Sequence, residues 1–185
     1  MSISLQLGMV YMVSEIALRF SRRSGGGAKP ADRGSLAVLW LAIGLGIGLG
    51  IVATNLIRAA WFRLPPAGLA AAVVVFAAAL ALRWWSILVL GKFFTVDVAI
   101  STDHRLIVRG PYRWVRHPSY TGMMLAFAAF AVTLQNWLSL ACVLVPISLA
   151  LAYRIRIEET ALLGAFGDQY RHYTQTTKRL IPGLL

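Results

Sequence analysis

Long apolar runs constrain this chain more than any other feature of its sequence. A helix needs about 20 apolar residues to cross the hydrocarbon core of a bilayer. Five runs approach or reach that length, at about 3–19, 36–57, 67–90, 118–134 and 137–153. They fill more than half of the 185 residues, and 58% of the chain is hydrophobic while 14% is charged. The sequence therefore predicts an all-α integral membrane protein with about five transmembrane helices, and residues 1–185 as a single membrane domain.

The limits of the runs give two further predictions. The first run contains Glu15 and has no small-residue cleavage site ahead of the arginines. We therefore interpret it as a retained span rather than a signal peptide. Only Gln135 and Asn136 separate the fourth and fifth runs, which predicts a tight helical hairpin with Trp137 at the membrane interface.

Positive charge predicts the orientation. Of the 18 Lys and Arg residues, 15 lie in the first loop, the third loop and the C-terminal tail, which share one side of a five-span chain. The positive-inside rule places these segments in the cytoplasm and the N-terminus outside, in the plasma (inner) membrane if the source is bacterial. The net charge of +11 then serves orientation beside membrane lipids, and it does not indicate a nucleic-acid partner.

Two charged residues lie inside apolar runs. Arg83 precedes Trp84 and Trp85, and we interpret it as a snorkelling residue at the interface, with a buried functional cation as the alternative. Glu15 lies within one helical turn of Arg19 and is predicted to pair with it, with a functional role as the alternative.

Alternating glycines mark the second run, at Gly44, Gly46, Gly48 and Gly50. A dinucleotide-binding loop would need a strand before the glycines and a helix after them, whereas these lie within a continuous apolar segment. Pairs of glycines four residues apart allow helices to approach closely in lipid. We therefore predict a packing role for them.

Polar residues concentrate in two segments, 91–117 and 154–185. The first holds His104 and His117 among arginines and aromatic residues, a composition that would also suit an amphipathic segment at the membrane surface. In the second, a continuation of the fifth helix would place Arg154 and Glu158 on one face, either as an ordinary ion pair or as groups that hold an anionic acceptor and a polar cofactor.

The order and spacing of these residues form an extended pattern. It reads His104-x-Leu106-Ile107-x-x-Gly110-x-Tyr112-Arg113-x-x-Arg116-His117-Pro118-x-Tyr120, then Arg154-x-x-x-Glu158-Glu159, Phe166-Gly167-x-x-Tyr170-x-x-Tyr173 and Arg179-x-Ile181-Pro182. The pattern resembles that of the isoprenylcysteine carboxyl methyltransferase family, membrane enzymes within a wider group that includes phospholipid N-methyltransferases. The resemblance covers the chain from about Leu90 onward.

The resemblance implies S-adenosyl-L-methionine as cofactor, S-adenosyl-L-homocysteine as product and no metal. It places the cofactor in a cytoplasmic pocket formed by residues 91–117 and 154–185, and it assigns Arg154 to orientation of the acceptor and Glu158 to both catalysis and cofactor binding. The implied cofactor-binding residues are His104, Arg105, Leu106, Ile107, Tyr112, His117, Pro118, Ser119, Tyr120 and Glu158. Asp97 stands where eukaryotic members have a cofactor-contacting glutamine, so it is left out of the site.

The implied reaction is carboxyl O-methylation of an isoprenylcysteine-type acceptor that enters from the bilayer. Such an acceptor is ionised at pH 7 and needs orientation rather than a general base, whereas a phenolic acceptor would need His117 or Glu158 as base. Three alternatives stay open: methylation of a phenolic lipid, alkylpyrone or phospholipid headgroup; a non-enzymatic protein that binds anionic lipid; and a relative of the NADPH-dependent membrane reductases.

Overall fold

Six α-helices make up most of the computed structural model, which describes residues 2–21, 34–94 and 105–182. The helices are α1 (Ile3–Ser21), α2 (Ser35–Leu56), α3 (Pro66–Leu90), α4 (Pro118–Thr133), α5 (Trp137–Phe166) and α6 (Asp168–Thr176). Three short 3₁₀ turns lie at Arg58–Ala60, Gly91–Phe93 and Gly110–Arg113. Within the described ranges, β-type pairing is limited to isolated bridges, so the all-α prediction is confirmed there.

The first five helices correspond to the five predicted runs. Their limits agree with the predictions within about two residues, except that α5 continues to Phe166 instead of ending near residue 153. Three segments are long and apolar enough to cross a membrane: Ser35–Leu56, Pro66–Phe93 and Trp137–Phe166. The apolar part of α1, Ile3–Leu18, is shorter.

Two of the four alternating glycines bring α2 against α5. A Cβ atom added to Gly46 would lie 3.0 Å from the carbonyl oxygen of Cys142, and one added to Gly50 would lie 3.0 Å from a methyl group of Val143. A Cβ at Gly44 or Gly48 would meet nothing within 4 Å. The predicted packing role is therefore confirmed for Gly46 and Gly50 and is wrong for the other pair.

Among the described glycines, Gly122 has the closest surroundings, and it joins α4 to α3. A Cβ added there would lie 2.7 Å from the carbonyl oxygen of Ala79 and 2.9 Å from the backbone nitrogen of Arg83. Only glycine fits this approach, because backbone atoms on α3 cannot move aside as a side chain can. The contact fixes the beginning of α4 against the end of α3, where the polar residues gather.

Replacing Gly122 with Ala is expected to lower the free energy of unfolding by about 1–3 kcal/mol, as overpacking does in a close-packed core. Gly44→Ala is the matched control, since the added methyl group would meet nothing within 4 Å and alanine favours the helix. Thermal unfolding of both variants in the same detergent checks this. Equal melting temperatures would contradict the close approach of α3 and α4.

The hairpin between α4 and α5 forms as predicted. Gln135 adopts a positive φ of 52°, and the buried Asn136 caps α5 by accepting a hydrogen bond of 2.9 Å from the backbone nitrogen of Ser139. The Asn136 amide also donates to the carbonyl oxygen of Ile57 at 3.0 Å. These contacts tie the end of α2 to the hairpin, at the opposite end of the bundle from the polar residues.

Apolar side chains cover the outer faces of the helices. Val13, Val74 and Leu149 are each about two thirds exposed, although they lie in three different helices. So large an apolar surface indicates contact with lipid. Trp137 is 62% exposed beside the hairpin, and its placement at the interface stays a prediction.

Candidate active site

Five helices bring polar residues together at one end of the bundle. The ends of α1 and α3 meet the beginnings of α2 and α4 there, and the part of α5 beyond residue 153 runs past them. Pro118 occupies the first turn of α4, where its missing N–H leaves no hydrogen bond unmade. Tyr120 follows in the same turn, so its side chain is held close to a fixed helix end.

The hydroxyl of Tyr120 links Arg154 to Glu158. It donates to Oε2 of Glu158 at 2.8 Å and accepts from Nε of Arg154 at 2.9 Å. The sequence left open an ordinary ion pair between these two α5 residues, and the structure adds Tyr120 of α4 as a hydrogen-bond partner of both. This arrangement places a guanidinium and a carboxylate on either side of one phenol group.

Arg154 is buried, with 4% of its surface exposed, and it has a partner on α2. Its Nη1 atom donates to the hydroxyl of Ser35 at 2.9 Å, and Ser35 is fully buried. A buried guanidinium with fixed hydrogen bonds is held in one orientation. Sequence reasoning missed Ser35, because a lone serine before an apolar run gives no signal beyond that of a helix start.

His117 lies between the two adjacent glutamates of α5. Its Nδ1 is 3.8 Å from Oε2 of Glu158, and its Nε2 is 3.4 Å from Oε1 of Glu159. The imidazole ring also stacks on Tyr120, with centroids 5.6 Å apart and an angle of 19° between the rings. The structure therefore brings together four of the predicted site residues: His117, Tyr120, Arg154 and Glu158.

Glu159 holds the C-terminal tail over the start of α4. Its carboxylate accepts from Nε of Arg116 at 3.0 Å and from Nε of Arg179 at 2.9 Å. The backbone nitrogens of Arg116 and His117 in turn donate to the carbonyl oxygens of Lys178 and Arg179, at 2.7 and 2.9 Å. Glu159 was quoted in the sequence pattern without a role, and the structure gives it that of an anchor.

Glu159→Gln is expected to lower the free energy of unfolding by about 1.5–3 kcal/mol, because it removes the charge that Arg116 and Arg179 share, while Arg116 keeps its bonds to the carbonyl oxygens of Thr174 and Thr177. We also expect faster trypsin cleavage at Lys178 and Arg179, which the anchored backbone now protects. The control is Asp168→Asn, which breaks an ion pair with Arg171 whose side chains are 92% and 68% exposed. Cleavage at wild-type rate in Glu159→Gln would show that the tail is held by other contacts.

Tyr112 is buried and is fixed through its backbone in a 3₁₀ turn. Gly110, with φ of 60°, begins the 3₁₀ turn, and a Cβ there would lie 3.0 Å from Val89. The hydroxyl of Tyr173 on α6 donates to the carbonyl oxygen of Tyr112 at 2.5 Å. Burial raises the pKa of Tyr173 to about 12, so this hydroxyl keeps its proton at neutral pH.

The two charged residues of the apolar runs form one buried ion pair. Arg83 is 5% exposed, and its Nε and Nη2 donate to the two carboxylate oxygens of Glu15 at 2.6 and 2.9 Å. Its Nη1 donates to Oγ of Ser119 at 2.9 Å. The interpretation of Arg83 as an interfacial residue was therefore wrong, because its partners lie inside the bundle. Glu15 therefore has Arg83 as a partner, and its predicted pairing with Arg19 involves a side chain outside the described part of the chain.

The remaining predicted residues have varied surroundings. His104, like Asp97, lies outside the described residues. Arg105, Leu106 and Ile107 lie in a segment without regular secondary structure, in which Arg105 is exposed and the other two are half-buried. Their predicted contacts with a cofactor stay predictions, as does that of Ser119, whose hydroxyl faces Arg83.

A cavity of about 60 Å³ opens beside Tyr120 and Arg154. Leu39, Trp40 and Ile43 of α2 form one of its walls. It therefore joins the polar residues to an apolar space between helices.

Comparison with known proteins identifies a family. Residues 70–164 match the model of the isoprenylcysteine carboxyl methyltransferase family. A protein-S-isoprenylcysteine O-methyltransferase of Tribolium castaneum is 37% identical over 103 residues, which cover 55% of this chain and 37% of that protein. A methanethiol S-methyltransferase of Bradyrhizobium diazoefficiens is 39% identical over 71 residues, which cover 38% of this chain and 24% of that protein.

The fold also matches a solved structure. The eukaryotic intramembrane Ras methyltransferase of the same family superposes with a TM-score of 0.54 and 28% identity, over 81% of this chain and 51% of that chain. The present chain thus spans about half, or less, of the length of the proteins it matches. The part that matches the family model contains most of α3, all of α4 and most of α5, and so includes Tyr120, Arg154 and Glu158.

Proposed function

Because the chain belongs to the isoprenylcysteine carboxyl methyltransferase family, we propose that it transfers the methyl group of S-adenosyl-L-methionine to the carboxylate of an isoprenylcysteine-type acceptor. One observation carries the proposal: Tyr120 holds Arg154 and Glu158 on either side of its hydroxyl, beside an apolar cavity. A cation, a carboxylate and an apolar space are what an anionic lipid and a cationic cofactor require.

The residues around Glu158 fit this cofactor. The Glu158 side chain is 30% exposed, so its carboxylate is open to a ligand even though Oε2 accepts from Tyr120. A carboxylate accepts hydrogen bonds from amino or ribose hydroxyl groups, and the stacked rings of His117 and Tyr120 offer an aromatic surface. The bound cofactor would supply an electrophilic methyl group on a sulfonium.

Arg154 orients the acceptor in this proposal. A planar guanidinium binds a carboxylate through two parallel hydrogen bonds, and Ser35 and Tyr120 fix its plane. An ionised carboxylate is already a nucleophile, so positioning and exclusion of water supply the acceleration without a general base. The apolar wall of the cavity from α2 would accept the lipid chain.

The three long apolar helices and the family identify the chain as an integral membrane protein. We further propose that α1 to α5 all cross the membrane, with the N-terminus outside and the polar end of the bundle in the cytoplasm. Residues 91–117 and 154–185 would then form the cofactor pocket on the side where S-adenosyl-L-methionine is dissolved. The acceptor would enter sideways from the bilayer.

The proposal is tested by incubating purified protein with methyl-labelled S-adenosyl-L-methionine and a lipid extract of the source organism, followed by mass spectrometry. We expect label in a methyl ester of a lipophilic carboxylic acid. Label in a phenol ether, a thioether or a quaternary amine would keep methyl transfer and overturn the carboxylate assignment. No labelled lipid, together with no binding of S-adenosyl-L-homocysteine, would contradict the proposal as a whole.

A further inference from the structure

The cavity beside Tyr120 holds more charge than the proposed reaction uses. Among the described residues that line it, three are charged: Glu15, Arg83 and Arg154. Arg154 is assigned to the acceptor, whereas Glu15 and Arg83 have no part in the mechanism above. Glu15 lies in α1, before the segment that matches the family model, so the family resemblance gives it no role.

Glu15 neutralises Arg83 in a nearly ideal geometry. The two side chains are 9% and 6% exposed, and the guanidinium bonds both oxygens of the carboxylate, at 2.6 and 2.9 Å. Its Nη1 atom donates to the carbonyl oxygen and to the hydroxyl of Ser119. Four of the five N–H groups of Arg83 are thereby occupied.

This pairing determines how many cations the cavity offers to an anionic ligand. With Glu15 in place, a second negative charge near Arg83 would meet the carboxylate and be repelled. Without it, Arg83 would be an uncompensated buried cation, which is strongly unfavourable and would recruit an anion. Removal of the Glu15 carboxylate therefore changes the net charge of the cavity by one unit. This change does not involve Arg154.

We infer that Glu15 is a specificity-determining residue for the acceptor. By occupying Arg83, it makes the cavity select an amphiphile with one negative charge, such as a carboxylate, over one with two, such as a phosphate monoester. The inference rests on the proposed function in taking the cavity as the acceptor site. It adds that Glu15 of α1 selects the ligand by its charge.

Calorimetric titration of the full chain in neutral detergent tests this, with dodecanoate and dodecyl phosphate as ligands at pH 8, where the phosphate carries close to two charges. Wild type should bind dodecanoate more tightly relative to dodecyl phosphate than Glu15→Gln does. We expect the ratio of the two dissociation constants to shift about tenfold towards the phosphate in that variant. Partition of each ligand into micelles is the same for all variants and cancels.

Two matched variants separate charge from structure. Glu15→Asp keeps the carboxylate, and Glu15→Gln combined with Arg83→Gln removes both charges, so both should keep the wild-type ratio. If Glu15→Gln weakens both ligands equally, the pair serves packing alone and the inference is overturned. Should that variant not fold, rescue of its folding by dodecyl phosphate and not by dodecanoate is the supporting result, and no rescue overturns the inference.

Failure here differs from failure of the proposed function, because these titrations contain no cofactor. If the ratios of dissociation constants are as predicted but no methyl transfer is found, the proposed function is contradicted and charge selection by Glu15 is supported. If methyl transfer is found but Glu15→Gln keeps the wild-type ratio, the proposed function is supported and charge selection by Glu15 is contradicted.

Discussion

Replacing Arg154 with Gln is expected to lower kcat/KM for a carboxylate acceptor by about a hundredfold, with cofactor binding retained. The loss has two sources: the charge that binds the acceptor and the donor that holds the hydroxyl of Tyr120. A charge-assisted hydrogen bond contributes about 1.5–3 kcal/mol. Small displacements of a reacting group can cost about 100-fold in rate. Initial rates with labelled cofactor, at several acceptor concentrations, measure the effect.

Arg156→Gln is the matched control for this variant. Arg156 lies two residues further along α5 and is exposed, so the control removes the same charge without touching the site. Arg154→Lys retains the charge but lacks the planar fork, and it should recover only part of the activity. If Arg154→Gln and Arg156→Gln have the same small effect, Arg154 does not orient the acceptor.

Glu158→Gln is expected to weaken binding of S-adenosyl-L-homocysteine about 10- to 100-fold, which corresponds to loss of one or two charge-assisted hydrogen bonds. The carboxylate is the acidic group at the site that is both partly exposed and bonded to Tyr120. The amide that replaces it can still hydrogen-bond Tyr120, so the fold around α4 should persist. Calorimetry in detergent measures the dissociation constant.

The control for Glu158→Gln is Asp168→Asn, which removes one exposed carboxylate at the start of α6. Its cofactor affinity should equal that of wild type. His117→Ala should also weaken the cofactor, since it removes the ring that stacks on Tyr120. Wild-type affinity in both Glu158→Gln and His117→Ala would place the cofactor elsewhere.

The helices could be predicted from the sequence because lipid imposes a simple rule on them. A spanning helix must be apolar over nearly its whole length, so its limits are visible in the sequence. The exception is α5, whose continuation to Phe166 carries charged residues, so the apolar run ends near residue 153 and does not show where the helix ends. This extension is stabilised by tertiary contacts, above all those of Glu159, which hydropathy does not report.

The site could be predicted only where residues follow a spaced pattern. His117, Tyr120, Arg154 and Glu158 belong to such a pattern, and they meet in the structure. Ser35 of α2, which bonds Arg154, lies outside it, and so do both members of the buried pair beside the site, because a buried arginine takes whichever acceptor the packing brings close. Arg83 bonds Glu15, 68 residues earlier in the chain, and no local signal in the sequence predicts that partner.

Methyl transfer to a defined acceptor pair tests most directly whether this site methylates a lipophilic carboxylate. Purified protein is incubated with methyl-labelled S-adenosyl-L-methionine and either N-acetyl-S-farnesylcysteine or its carboxamide, which differ only in the group that Arg154 is proposed to bind. We expect a labelled, base-labile methyl ester from the acid and no label in the amide. Equal labelling of both, or no ester from the acid under conditions where the cofactor binds, would contradict carboxyl methylation at this site.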